Sequence, residues 1–424
     1  MTKPHSTNSR IDSLADSLDE HLAASDAELL RRYPGDPGTR QPVHTVYVPA
    51  DRYAAGLASD WGQQALSLVG EHLPSPERLA EVFGLSKALA AEVLPLVRAK
   101  LAAEPVEDLR IDFEDGFGDR GDEAEDAAVD SAVAALAESV SAGSAPPFQG
   151  IRFKSFEAPT RRRGLCTLDR FVGGLVAAGG LPEGFVLTLP KVTAIEQVEA
   201  MVTVCDHLES AYALSERRLQ FEIQVETPQS VMLYDGTAAI ARMIAAADGR
   251  CSGLHYGTYD YSASCGIAAQ YQSMEHPAAD HAKAVMQVAA AGTGVRLSDG
   301  STNILPVGSA DAIHAAWVLH ARLVDRSLRR GFYQGWDLHP AQLPTRYLAT
   351  FAFYRNGFDA AARRLRSYVA QDDSGFLDEP ATARALAWFI SRGVHCGAIT
   401  SVEALERTSL DASDLGALAH NRRG

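Results

Sequence analysis

The sequence predicts an α/β fold, a (β/α)8 TIM barrel with a polar N-terminal extension and a helical C-terminal region, on three observations. Strand-like segments set charged residues against apolar ones: Leu109, Ile111 and Phe113 alternate with Arg110, Asp112 and Glu114, and Phe221–Glu226 and Ile151–Lys154 repeat the pattern. Successive strand side chains point to opposite faces, so each segment has one apolar and one ionic face. Each segment is followed by helical sequence, which points to crossover units and a parallel sheet covered by helices. The alternation recurs eight times along the chain, as a barrel requires; a doubly wound open sheet is the competing arrangement. In a barrel the ionic faces look into an enclosed space, where charges must be paired or bind something.

Residues 1–42 are polar, and Pro34, Gly35 and Pro37 near their end mark a loose helical or disordered lead-in. The barrel is expected over 43–340. Val43–Pro49 is the first strand, followed by a long helical insert, Tyr53–Glu107. Arg110–Asp115 and Ile151–Ser155 are the second and third, Phe185–Lys191 the fourth and Leu219–Thr227 the fifth. Ser252–Asp260, Gly294–Gly300 and Gly331–Pro340 complete the set. Alanine-rich stretches such as Ala194–Leu214 and Asp311–Arg329 carry helical periodicity between them. From Ala341 to Gly424 the pattern is wholly helical. An active site in such a barrel lies at the C-terminal strand ends. In order these carry Asp51 and Arg52, Glu114 and Asp115, Arg152 and Lys154, Lys191, Glu226, Asp260, Asp299 and His339, so every strand ends in an ionisable group.

A formal charge of −15 argues against nucleic acid or an anionic membrane as partner. No apolar run approaches the roughly 20 residues of a membrane span, and the polar start lacks the apolar core of a signal peptide. The five cysteines are scattered without metal-ligand or redox spacing, so reduced thiols in a cytoplasmic protein are expected.

The segments Tyr47–Arg52, Asp112–Asp115, Leu189–Lys191, Glu222–Pro228, Tyr256–Asp260, Ser298–Gly300 and His339–Gln342 follow one another in an order that resembles the HpcH/HpaI aldolase and citrate lyase β-subunit-like family. The resemblance covers roughly Val43 to Ala385 and favours the citrate-lyase-like branch, because the histidine of the aldolase branch is missing after Glu114. It implies a carbon–carbon lyase or aldolase that works through an enolate, with Mg²⁺ or, as an alternative, Mn²⁺. The substrate implied is a short 3-hydroxy acid or its coenzyme A thioester. It further implies a homo-oligomer, a trimer or hexamer. A metal-dependent thioesterase and a non-catalytic ligand-binding relative are the alternatives.

By that resemblance Glu226 and Asp260 hold the metal, in keeping with the oxygen chemistry of a hard divalent ion; capping of the next helix is the other reading of Glu226, and a loop position beside Gly257 and Tyr261 that of Asp260. Glu114 and Asp115 correspond to the acids that hydrogen-bond metal-bound water, although strand alternation lets Asp115 point outward. Arg152 corresponds to the arginine that binds the substrate carboxylate and the enolate oxygen, with an ion pair to Glu114 or Asp112 as the alternative. Arg52 and Lys191 are expected to hold substrate; Lys191 is equally suited to pairing with the internal acids. Asp378, before Pro380, corresponds to an acid/base aspartate acting over the barrel mouth, often from a neighbouring subunit; a helix cap is its other reading.

Two local features read more plainly. Arg161–Arg163 suits either a phosphate contact or a solvated loop, and the loop is favoured. His255, inside a strand, reads as a satisfied core group. Gly335 stands where the family usually has lysine, Gly116-Phe117 replaces the usual small residues after the acidic pair, and the insert lies between the first two strands. All three bear on substrate identity.

Overall fold

The computed structural model describes residues 7–371 and 379–419. Eight parallel strands form its centre: β1 (His44–Pro49), β2 (Asp108–Asp112), β3 (Phe148–Arg152), β4 (Phe185–Leu189), β5 (Gln220–Val225), β6 (Cys251–Tyr256), β7 (Arg296–Ser298) and β8 (Gly335–Asp337). Pairing runs in chain order from β1 to β7, and β8 returns to β1 through His44↔Gly335 and Val46↔Asp337. The last seam, β7 to β8, is thin: one bridge, Ser298↔Gln334, and backbone hydrogen bonds from Asp299 to Gln334 and from Trp336 to Gly300. The result is a nearly closed barrel with helices between its strands, as the sequence predicted.

The alternation works as expected. Val46, Val48, Leu109, Ile111, Ile151, Leu187, Ile223 and Leu254 belong to the apolar layer under the outer helices. The opposite faces fill the barrel with a polar plug centred on Arg110. Its Nε and Nη2 donate to Glu222 at 3.0 and 2.8 Å, its Nη1 to Asp108, and Thr188 donates to Glu222 at 2.6 Å. Burial raises the Glu222 carboxyl, but Arg110 and His255 outweigh it and hold the group well below the usual carboxylate range. A paired plug of this kind is close to neutral for stability, whereas removing one partner is costly.

Every strand but β1 ends earlier than expected, and in three the local reason is plain. β2 stops at Asp112 because its carboxylate accepts the backbone N–H of Glu114 at 3.0 Å and of Gly116 at 2.8 Å, which turns the chain. β4 stops at Leu189; Pro190 follows, and Lys191 takes a left-handed φ of 50°. β8 keeps only three residues before His339 caps the turn Pro340–Gln342. The lead-in contains a helix, Thr7–Arg32. The insert forms helices Leu57–His72, Pro76–Phe83 and Lys87–Ala103. Beyond β8 the long helix Leu343–Ala370 packs on Lys87–Ala103 and Ala310–Arg329. It is fixed by a buried polar knot in which Arg346 grips Asp337 at 2.9 and 3.0 Å and His44 Nδ1 lies 2.8 Å away. Among the described residues no helix is long and apolar enough to cross a membrane.

Candidate active site

At the C-terminal end of the barrel the turn after β2 builds the first half of the site. The Asp112 carboxylate that turns the chain also receives the fork of Arg152 from β3, Nε at 2.7 Å and Nη2 at 2.6 Å. That leaves Nη1, 3.4 Å from Glu114, as the free arm. The guanidinium lies over the Tyr47 ring, 5.0 Å from its centroid. Burial pulls the Arg152 charge down, but Asp112 and Glu114 more than offset it, so it is a permanent cation. The expected ion pair is therefore real, and it aims the remaining donor at the mouth.

Lys191 builds the second half. Its left-handed backbone turns its N–H onto Glu226 Oε1 at 2.7 Å. Its ammonium lies 2.8 Å from Asp115, 2.8 Å from Asp260 and 3.2 Å from Glu114. Burial lowers the Lys191 pKa, but Glu226, Glu114, Asp115 and Asp260 together raise it well above its ordinary value. Asp115 thus joins the site and does not point outward: the turn at Asp112 ends the alternation on which that expectation stood. Glu226 is 2% exposed. Gly257 is required beside it, since a Cβ there would lie 2.4 Å from the Glu226 Cβ. Thr227 caps the short helix Pro228–Val231 by accepting from Ser230 at 3.1 Å, so Glu226 is not the cap.

Crowding of acids sets their proton affinity. Burial, aided by Asp115, pushes Glu114 up to about 7 despite Arg152 and Lys191. Burial, aided by Glu114 and Asp260, pushes Glu226 up to about 8. Groups in this state favour a cation beside them. Among the described residues no three His, Cys, Asp or Glu side chains are arranged to hold a metal ion by themselves. Two carboxylates with water and substrate oxygens suffice for Mg²⁺, and the donor set here is oxygen only. Glu226 accepts from the backbone N–H of Lys191 and Asp260 from its ammonium, so one lysine draws both carboxylates toward the same place. The residues fit a hard divalent ion.

Other expected residues fall outside this cluster. Arg52 is exposed on the turn Ala50–Arg52 and forms no ion pair among the described residues; its neighbour Asp51 meets Arg120 at 2.8 Å. Lys154 ties the β2 loop to Glu125 at 2.6 Å, Asp299 is bound by Lys283 at 2.9 Å and Ser327 at 2.6 Å, and His339 caps a turn. These strand ends are structural. Arg161–Arg163 do not form the expected solvated loop: they open the helix Arg161–Ala177, where Arg163 is mostly buried and pairs with Asp126 at 2.6 Å and Arg161 donates to the Phe156 carbonyl. Asp378 lies outside the described residues.

Sequence reasoning passed over the layer beneath the cluster. Gln224 is fully buried two residues below Glu226, on the same face of β5, and neither amide atom has a hydrogen-bond partner. His255 Nδ1 and Trp336 Nε1 are likewise buried without partners. His255 does contact Glu222 at 3.0 Å through Nε2, so it is only half the satisfied core group expected. The signal available was Gln224's place in the same alternation as Glu222 and Glu226.

A family model described as a domain of unknown function, DUF6986, matches residues 22–423. A citrate lyase from Burkholderia xenovorans LB400 is similar at 17% identity with a TM-score of 0.57, over 88% of this chain and 97% of that one. CitE from Mycobacterium tuberculosis, in complex with magnesium, acetoacetate and coenzyme A, is similar at 18% identity and a TM-score of 0.48, over 88% and 100% of the chains. A Haloferax volcanii malate synthase is similar at 14% identity and 0.48, over 87% and 88%. The first likeness shows a shared fold. No curated protein matches the sequence.

Proposed function

The chain belongs to the DUF6986 family, and from its site we propose a Mg²⁺-dependent carbon–carbon lyase that cleaves a short 3-hydroxy acid or its coenzyme A thioester, or runs the reverse condensation. The observation that carries this reading is the meeting, at one barrel mouth, of an anchored arginine arm and an all-oxygen cation site: Arg152 held by Asp112, and Glu114, Asp115, Glu226 and Asp260 gathered around Lys191. Glu226 and Asp260 would hold the ion, which when bound supplies charge stabilisation to an enolate oxygen. The chain's own groups do the rest. Arg152 presents Nη1 to the oxygen on which charge develops, already oriented by its two bonds to Asp112. Glu114 and Asp115 hold water in place for the ion. Lys191 and Arg52 receive the substrate carboxylate, Lys191 by exchanging one of its acidic partners for it. In the cleavage direction the proposed acid/base Asp378 takes the 3-hydroxyl proton, the bond between the second and third carbons breaks, a carbonyl fragment leaves, and the electron pair stays on the enolate. A proton must then reach the enolate carbon. Asp378 is the proposed donor.

The test is a product screen by mass spectrometry with Mg²⁺ or Mn²⁺ against short 3-hydroxy acids and their thioesters. Two carbon fragments from one substrate are expected. A free acid with its carbon skeleton intact would instead identify a thioesterase, and absence of turnover across the panel would leave a ligand-binding protein.

A further inference from the structure

The opposite end of the barrel holds a cavity of about 890 Å³, bordered by the first residues of β3 to β7 and by residues 31–39, the connection from the N-terminal helix. This strap is fastened where Gly35 N–H meets the Gly292 carbonyl at 2.8 Å and where Arg296 reaches the Thr39 carbonyl at 3.2 Å. The volume is that of a small-molecule pocket. Five arginines line it, Arg31, Arg32, Arg217, Arg218 and Arg296, in a chain whose formal charge is −15.

Their partners leave positive charge over. Arg217 is matched by Asp248 at 2.8 Å. Arg31 and Arg32 share a single carboxylate, Glu28. Arg218 donates only to the carbonyls of Leu181 and Pro182, and Arg296 only to Thr39; neither has an ion pair among the described residues. Asp36, near Arg296, is drawn to Arg392 at 3.4 Å. Two further acids at the cavity, Glu183 and Glu216, are solvent-exposed. Partly buried guanidinium groups satisfied only by neutral oxygens have room for an anion, and their planar forks match carboxylate and phosphate alike.

We propose that this cavity binds a small polyanion through Arg218 and Arg296, its charge carried on phosphate or paired carboxylate groups. Burial pulls both arginines below their ordinary pKa, a cost that a bound anion removes. The site sits at the face of the barrel away from Glu226, so its ligand is an effector, not the substrate, and the inference stands whatever the reaction proves to be.

Calorimetry on the full chain in metal-free buffer tests it, with inorganic pyrophosphate for the phosphate source and malonate for the dicarboxylate source. At least one is expected to bind. Arg296→Gln and, independently, Arg218→Gln should each weaken that binding by about tenfold or more, while Glu226→Gln, at the other end, should leave it unchanged. Arg296→Lys should fall between, since it keeps charge and loses the fork. Circular dichroism selects the variants that fold. No binding of either probe, wild-type affinity in both glutamine variants, or loss on Glu226→Gln overturns the proposal.

Discussion

Arg152 is fixed on two of its three arms by Asp112, and among the described residues the third, Nη1, meets only Glu114, at 3.4 Å. Lysine keeps the charge but cannot hold Asp112 and reach substrate at once. Arg152→Lys should therefore lower kcat by roughly 10²-fold or more with a smaller change in KM; a variant altered only in melting temperature would leave Arg152 as an ion-pair partner. Glu226→Gln keeps size and removes charge, so Mg²⁺ affinity by calorimetry should drop about tenfold or more, and unchanged binding would remove Glu226 from the metal site. Strand alternation made Arg152, Glu114 and Glu226 legible from the sequence, since all continue the ionic face of their strands. It misdirected Asp115, because a carboxylate that bends its own chain is not visible as a break in alternation. Gln224 was passed over because an uncharged residue among charged ones attracts no attention until its amide is found without a partner.

At the level of elements, β8 depends on the helix Leu343–Ala370 through Asp337, which is fully buried and held by Arg346, His44 and His320. Burial raises the Asp337 carboxyl, but Arg346 and the two histidines outweigh it and hold it well below its ordinary value. A depressed carboxylate contributes stability that is complete above the unfolded value, about 3.9, and is lost as pH falls through the folded one. Burial depresses His320 as well, so stability also declines as pH falls below about 6.5, where the unfolded chain takes up a proton that this histidine resists. Asp337→Asn should cost about 3–5 kcal/mol in chemical denaturation at neutral pH. The difference from the wild type should shrink below about pH 4; a constant difference down to pH 2 would show that Asp337 titrates normally. The strand count and crossover pattern were readable because apolar alternation and alanine-rich periodicity are local signals. This knot was not readable, since its members lie at 44, 320, 337 and 346 and meet only after the barrel closes.

For the whole molecule, the enolate reading requires an acid above the mouth, and among the described residues the strand-end acids are already held by donors: Glu114, Asp115, Glu226 and Asp260 by Lys191, Asp51 by Arg120 and Asp299 by Lys283. If Asp378 is that acid, Asp378→Asn should abolish turnover while Mg²⁺ still binds. If it acts between subunits, the protein is a homo-oligomer, and mixing Asp378→Asn with Glu226→Gln should restore activity through hybrid sites. A fully active Asp378→Asn enzyme excludes it. The thin closure between β7 and β8 has its own outcome. A cylinder with seven laddered joints and one single-bridge joint does not lose its hydrogen bonds evenly; it has a place where it begins to unroll. In amide hydrogen exchange the N–H groups of Asp299 and Trp336, which span that joint, should lose protection before those of Ile111, Leu187 or Ile223 across the wall. Simultaneous exchange at all of them would mean the wall opens only as one. Since Asp299 and Asp337 brace the two sides of that joint from outside, through Lys283 and Ser327 on one side and Arg346 and His320 on the other, the barrel is stapled where it is least woven.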